Sequence, residues 1–308
     1  MKGFYGRTDL AIEAKESFPE DQVEISGVRL EEETDDTGNI KLTTVEILNK
    51  KGAKVMNKPI GSYVTLEFKE GLLGMTETEH YLAVCIENTL KNMIAALEKK
   101  EKKTFRTFLF SGLGNRFATP DALGPFVLEK LSMNRHIKKE FGDNPSFGEK
   151  VFCGITPGVM AQTGMESSEI LHGVIDQVKP DVLLVIDALA TASIGRLCHT
   201  IQLTDTGISP GAGIGNNRNE LNKEALGIPV IAIGVPTVVE AGTIVYEVLR
   251  DTLTKEGYQE KEIEQISGHF FHEKLSPLFV TPKEIDEQIR QIGLVLAKAL
   301  QNFSGYAP

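Results

Sequence analysis

The sequence predicts an α/β protein with a mostly parallel sheet flanked by helices and a strand-rich N-terminal portion. Three observations lead there. Val23 to Leu30, Ile40 to Leu48 and Tyr63 to Phe68 are β-branched, partly alternating runs, separated by the turn signals Asp36-Thr37-Gly38-Asn39 and Pro59-Ile60-Gly61. From Thr104 onward, apolar runs alternate with helical patterns, the rhythm of strands joined by crossover helices. Val182 to Ile186 is apolar without interruption, so this strand is expected to be buried on both faces, as strands of parallel sheets are.

The elements follow in order. After the N-terminal strands a long helical pattern runs from Thr76 to Lys102, and its closing charge run, Glu98 to Lys103, reads as a solvated helix end. Phe105 to Ser111 is a short strand, turned by Gly112-Leu113-Gly114-Asn115. Thr119-Pro120-Asp121 is expected to open a helix, with Thr as N-cap and Pro in the first helical position. Val151 to Ile155, Leu197 to Leu203 and Ile228 to Ile233 read as further strands, and Glu166 to Val178 and Thr237 to Leu253 as helices. The last helix is expected to begin at Thr281-Pro282-Lys283-Glu284, where Thr281 and Glu284 have the spacing of a capping box. Thr204 to Asn222 is a long loop rich in glycine and asparagine. No internal repeat divides the chain.

Composition narrows the function. The 308 residues carry 33 Lys+Arg against 43 Asp+Glu, a net charge of −10, which disfavours binding to DNA or to anionic lipid because both reward a basic surface. No run reaches the roughly 18 apolar residues of a membrane span. Ala225 to Val239 comes nearest and is broken by two prolines and two glycines. Cys85, Cys153 and Cys198 are dispersed and form no CxxC pair, which fits a reducing compartment. The N-terminus lacks the apolar core of a secretory signal, so the expected location is cytoplasmic.

In open α/β sheets, sites gather beyond the carboxyl ends of the strands, and two carboxylates lie at such places. Asp187 follows the buried run. Asp121 lies past the loop after Phe105 to Ser111, where the bland alternative is that it complements a helix N-terminus. A carboxylate following five apolar residues must find donors or a proton, because burying it unpaired is costly. Two aspartates brought together hold one proton between them. One then draws a proton from water while the other protonates a carbonyl or a leaving nitrogen, the two services that peptide hydrolysis needs.

Rival constellations are weaker. Gly207-Ile208-Ser209-Pro210-Gly211 matches the nucleophile-elbow string, but Pro210 lacks the N–H that the elbow donates to an oxyanion. Gly211-Ala212-Gly213-Ile214-Gly215 is followed by Asn216 where a dinucleotide fingerprint requires glycine. His80, His136, His172, His199, His269 and His272 form no HExxH, so the chemistry is expected to need neither metal nor cofactor. Gly158, Gly164, Asp205, Asn216 and Arg218 are candidates to line a cleft. Two alternatives stay open on residues alone: a metal-dependent peptidase using the same carboxylates, and a non-enzymatic nucleotide or phosphate binder using the 211–215 loop.

Several blocks together resemble the germination proteases of spore-forming bacteria. They are Gly112-Leu113-Gly114-Asn115 with Thr119 to Pro125, Pro157-Gly158-Val159-Met160, and Lys179-Pro180-Asp181 running into Ile186-Asp187-Ala188-Leu189-Ala190. Asp205 to Ile208 with Pro210 to Asn216, Gly227 to Val239, and Val280 to Asp286 complete the set. The resemblance implies a core similar to that of hydrogenase-maturation proteases. It also implies an aspartic-type endopeptidase with Asp121 and Asp187 as its catalytic pair, made as a zymogen that processes itself and assembled as a homotetramer in the spore core. The implied substrates are small acid-soluble spore proteins. Arg7-Thr8-Asp9-Leu10-Ala11-Ile12-Glu13 resembles the family's processing region, acidic then apolar then Ala. It implies cleavage between Asp9 and Leu10, a prosegment of residues 1–9 and a single peptidase domain over 10–308.

Overall fold

Strand β6 (Val182–Thr191) lies inside a nine-stranded sheet together with β1 (Val28–Thr34), β2 (Ile40–Ile47), β3 (Gly61–Phe68), β4 (Thr107–Gly112), β5 (Val151–Ile155), β7 (Thr200–Thr204), β8 (Val230–Glu240) and β9 (Phe279–Val280). The computed structural model describes residues 8–16, 25–142, 144, 147–215, 218–259, 262–263, 265–266 and 278–306. The strand order is β1-β2-β3-β7-β8-β6-β4-β5, with β9 paired to the far end of β8. The site-bearing half, β8-β6-β4-β5, is parallel. The strand-rich N-terminal portion adds β1, β2 and β3 as an antiparallel ribbon, and β7 joins it to β8.

Helices flanking the sheet among the described residues include α1 (Ala11–Glu16), α2 (Lys50–Met56), α3 (Thr76–Glu101), α4 (Leu123–Glu129), α5 (Arg135–Phe141), α6 (Met160–Thr163), α7 (Ser167–Val178), α8 (Lys223–Leu226), α9 (Ala241–Lys255) and α10 (Ile285–Ser304). Helix α3 buries Leu82, Ala83, Ile86, Leu90, Met93, Ile94 and Leu97, an apolar stripe at three- and four-residue spacing. It covers one face of the sheet with α4 and α10, sealing Leu66, Phe108, Phe110, Leu184, Ile186 and Ile233. The opposite face is covered in two places. Leu171 and Ile175 of α7 pack on Leu109, Leu183 and Val185, while Met56 of α2 and Ala11 of α1 pack on Val45, Ile47 and Tyr63.

Several elements differ from the sequence reading. Strand β6 does not stop before Asp187 but continues to Thr191, because β8 pairs with it all the way. Strand β8 likewise runs through Pro236 to Glu240, so α9 starts at Ala241 and not at Thr237. The proline fits because the register slips between Leu189 and Ala190 opposite it, and its carbonyl accepts the Cys198 N–H at 2.7 Å. Thr119–Asp121 is a single 3₁₀ turn, and the helix proper begins at Leu123 without a side-chain cap. The Thr281 hydroxyl donates to the Thr237 carbonyl at 2.8 Å instead of capping, and α10 begins at Ile285.

Candidate active site

Backbone packing brings the two aspartates together. The Leu113 N–H donates to the Ile186 carbonyl at 2.9 Å, which carries the β4 edge one residue past its last pair, Gly112 with Ile186. The turn after β4 then folds back on itself. A Cβ on Gly124 would lie 2.6 Å from the Ile186 carbonyl oxygen, and one on Gly114 would lie 2.8 Å from Asp121 Oδ1. Gly114 also has φ +107°, a conformation that side chains disfavour. These glycines let the Asp121 turn sit against β6 where Asp187 emerges, and the Thr237 hydroxyl of β8 pins that turn by donating to the Pro120 carbonyl at 2.6 Å.

Asp121 is half-buried, and its Oδ2 accepts the Asn115 N–H at 2.8 Å. Asp187 is 6% exposed, and its Oδ1 accepts the Ala188 N–H at 2.9 Å. Burial holds the Asp187 carboxyl well above the usual carboxylate range, and the charges of Asp121 and then Asp9 push it further; the Ala188 N–H and Arg218 pull it down less strongly. Burial raises Asp121 too, against the Asn115 N–H and the charge of Arg218. The arrangement can therefore keep a proton that an exposed carboxylate loses, with a second carboxylate beside it as proton acceptor.

The N-terminal segment lies against this site. Ile186 and Ala190 have the same parity on β6 and turn their backbone groups to the same edge, where β4 has ended. Asp9 fills that edge: its N–H donates to the Ala190 carbonyl at 3.0 Å, and its Oδ2 accepts the Ala190 N–H at 2.9 Å. The Gly213 N–H also bonds the Asp9 carboxylate, and a Cβ on Gly213 would lie 2.8 Å from the Ala190 Cβ, so the 211–215 loop closes over Asp9. Leu10 is fully buried with Ile12 and Leu189. Glu13 accepts from the Thr191 hydroxyl and from the Ala192 N–H, the latter at 2.7 Å, and holds α1 to the end of β6.

The remaining sequence candidates are placed as follows. Arg218 is half-buried and within electrostatic reach of both Asp121 and Asp187. Gly158 lies in the loop after β5 with φ +75°, and Gln162 of α6, which follows it, donates to the Asn115 side chain at 2.9 Å. Gly164 ends α6. Asp205 is drawn away from the pair, since its Oδ1 accepts the Ser62 N–H at 2.8 Å on the β3 side. Asn216, His269 and His272 lie outside the described residues. Among the described residues, no three His, Cys, Asp or Glu side chains are grouped so as to hold a metal ion, and no helix is long and apolar enough to cross a membrane.

Sequence reasoning missed two residues that meet the N-terminal segment. Lys58, just past α2, donates to the Asp9 carbonyl at 2.8 Å. Gln202 of β7 accepts the Ala11 N–H at 2.7 Å and has its amide nitrogen 3.4 Å from the same Asp9 carbonyl. A glutamine inside the expected strand Leu197 to Leu203 is a readable signal of a buried polar task. Lys58 carries no such signal.

The comparisons with known proteins place the chain in the class of peptidases. A family model described as germination protease matches residues 6–277. The germination protease of Clostridium tetani is 40% identical over 310 residues, covering 96% of this chain and 94% of the relative. That of Caldanaerobacter subterraneus subsp. tengcongensis is 42% identical (96% and 92% covered), and that of Bacillus subtilis 37% (96% and 92%). The chain belongs to the germination protease family. A solved [NiFe] hydrogenase maturation protease, HycI from Thermococcus kodakarensis, aligns over 64% of this chain and 94% of its own, with 20% identity and a TM-score of 0.31.

Proposed function

We propose that this germination protease is an aspartic-type endopeptidase of the spore core that degrades small acid-soluble spore proteins, with Asp121 and Asp187 as its catalytic pair. The observation that carries the reading is the convergence of two carboxylates from separate elements, one of them buried and disfavoured as an anion by the other. One carboxylate takes a proton from water as the water oxygen bonds to the peptide carbon. The other gives its proton to the nitrogen as the C–N bond breaks. The products are a carboxylate and an amine.

The same pair serves the chain's own processing, at the bond between Asp9 and Leu10, freeing residues 1–9 from a single peptidase domain over 10–308. The docking of Asp9 on Ala190, three residues past Asp187, supports this. The net charge of −10 suits a protease that acts on DNA-coating proteins without itself holding DNA. Assembly as a homotetramer belongs to the same proposal.

The test is incubation of the purified chain with a small acid-soluble spore protein, with the products read by mass spectrometry. Asp121→Asn and Asp187→Asn are each expected to fold and to lose cleavage by at least about 10³-fold, since neither proton service has a substitute. Cleavage is expected to survive exhaustive chelation. Undiminished cleavage by either variant would remove the pair from the mechanism.

A further inference from the structure

The Asp9–Leu10 peptide lies over a row of paired residues that crosses the sheet. Thr65 pairs with Gln202, Gln202 with Gly234 and Gly234 with Asp187, so Gln202 and Asp187 point to the same face two strand spacings, about 10 Å, apart. Gly234 between them has no side chain, and Leu189 leans over it, since a Cβ there would lie 2.5 Å from Leu189 Cγ. Leu10 packs on that leucine. Asp9 thus spans the row, with its N–H on the Ala190 edge beside Asp187 and its carbonyl oxygen on Lys58 and Gln202.

Lys58 bonds the N-terminal segment at a single point, the Asp9 carbonyl. It extends from the turn after α2, and its ammonium donates to one main-chain carbonyl, that of Asp9, at 2.8 Å. The acidic groups facing it are Asp9 and Glu13, and burial opposes its charge more than they favour it. A half-buried lysine aimed in advance at one carbonyl oxygen has the arrangement of an oxyanion-stabilising group.

We infer that Lys58, assisted by Gln202, is the group that receives the negative charge developing on the carbonyl oxygen of the peptide being cleaved. The inference rests on the reading of Asp9–Leu10 as the processed bond. As water oxygen bonds to the Asp9 carbonyl carbon, the carbonyl π pair moves to oxygen, which the Lys58 ammonium stabilises without giving up its proton. The water proton goes to one aspartate. The pair then returns from oxygen, the C–N bond breaks, and the Leu10 nitrogen takes the proton of the other aspartate. With Lys58 on the oxygen, the two aspartates need serve only the water and the leaving nitrogen.

The experiment uses the full chain with Lys58→Met, Lys58→Arg and Gln202→Leu, following release of residues 1–9 by intact mass and N-terminal sequencing. A synthetic peptide with the sequence of residues 7–13, given to the processed chain, separates kcat from KM. Lys58→Met is expected to slow both reactions by about a hundredfold through kcat, with KM little changed. Lys58→Arg is expected to recover part of the loss and Gln202→Leu to cost less than Lys58→Met. If Lys58→Met lacks a cooperative thermal transition, Lys58→Gln, which keeps a donor and drops the charge, is expected to show the same fall. Wild-type rates in a folded Lys58→Met or Lys58→Gln, or a rise in KM with kcat unchanged, overturns the inference and leaves the aspartate pair standing. A wild-type chain that never opens the Asp9–Leu10 bond overturns the processing reading and this inference with it.

Discussion

Asp187 occupies a place where ionisation is costly, and that cost sets two expectations at the scale of single residues. Its folded pKa lies above its unfolded 3.8, so the fold holds a proton that the unfolded chain releases. This group's contribution to stability is complete below the unfolded value and is lost as pH rises through the folded one. At neutral pH Asp187 is therefore a liability to the fold, and Asp187→Asn removes it. The variant is expected to be inactive and to melt higher by roughly 2–4 °C, the shift that about 1 kcal/mol makes in a large domain. Differential scanning calorimetry at neutral pH checks this, and the gain is expected to shrink as pH is lowered toward the unfolded value. Arg218 acts in the opposite sense, since its charge favours ionisation of both carboxylates. Arg218→Ala is expected to move both limbs of the pH–rate profile for peptide cleavage to higher pH; limbs that stay in place would exclude Arg218 from tuning the pair.

Among the elements, the turn between β4 and α4 decides whether the carboxylates meet. Gly114→Ala would place a methyl group against Asp121 in a positive-φ backbone, and Gly124→Ala would push the turn off the Ile186 carbonyl. Each is expected to cost about 1–3 kcal/mol in urea denaturation and to reduce cleavage per folded molecule, because the turn carries Asp121. Much of this region is legible in the sequence. The unbroken apolar run before Asp187 marks a doubly buried strand, and the glycine pairs mark a tight return. The ends of the elements are less legible. Pro236 and Thr237 read as a break and a helix start, yet pairing with β6 overrides both and carries β8 to Glu240. Thr281 has the spacing of a cap, yet its hydroxyl meets a neighbouring strand instead. Lys58 was invisible because its partner is a main-chain carbonyl 49 positions away, and no local pattern encodes such a contact.

The whole molecule separates what keeps it folded from what it does. The apolar mass lies on the face covered by α3, α4 and α10, whereas Asp187, Gln202 and the N-terminal segment lie on the other face. Phe303 near the end of α10 sits in that mass, with its ring 5.4 Å from Phe108 and 6.4 Å from Phe152, both edge-on. The same cluster extends from Ile40 and Leu66 in the antiparallel ribbon to Phe152 in the parallel half, so the two halves share one core. Phe303→Ala is expected to lower stability by about 3–5 kcal/mol. Unfolding is expected to remain a single transition, because the largest apolar cluster spans both halves of the sheet. Cleavage per folded molecule is expected to stay at the wild-type level, since the sheet lies between the lost ring and Asp187. Urea titration followed in parallel by circular dichroism and by peptide cleavage tests all of this at once. Two separate transitions would mean that the ribbon and the parallel half fold independently, and a fall in cleavage before any loss of structure would mean that the core reaches through the sheet to the site.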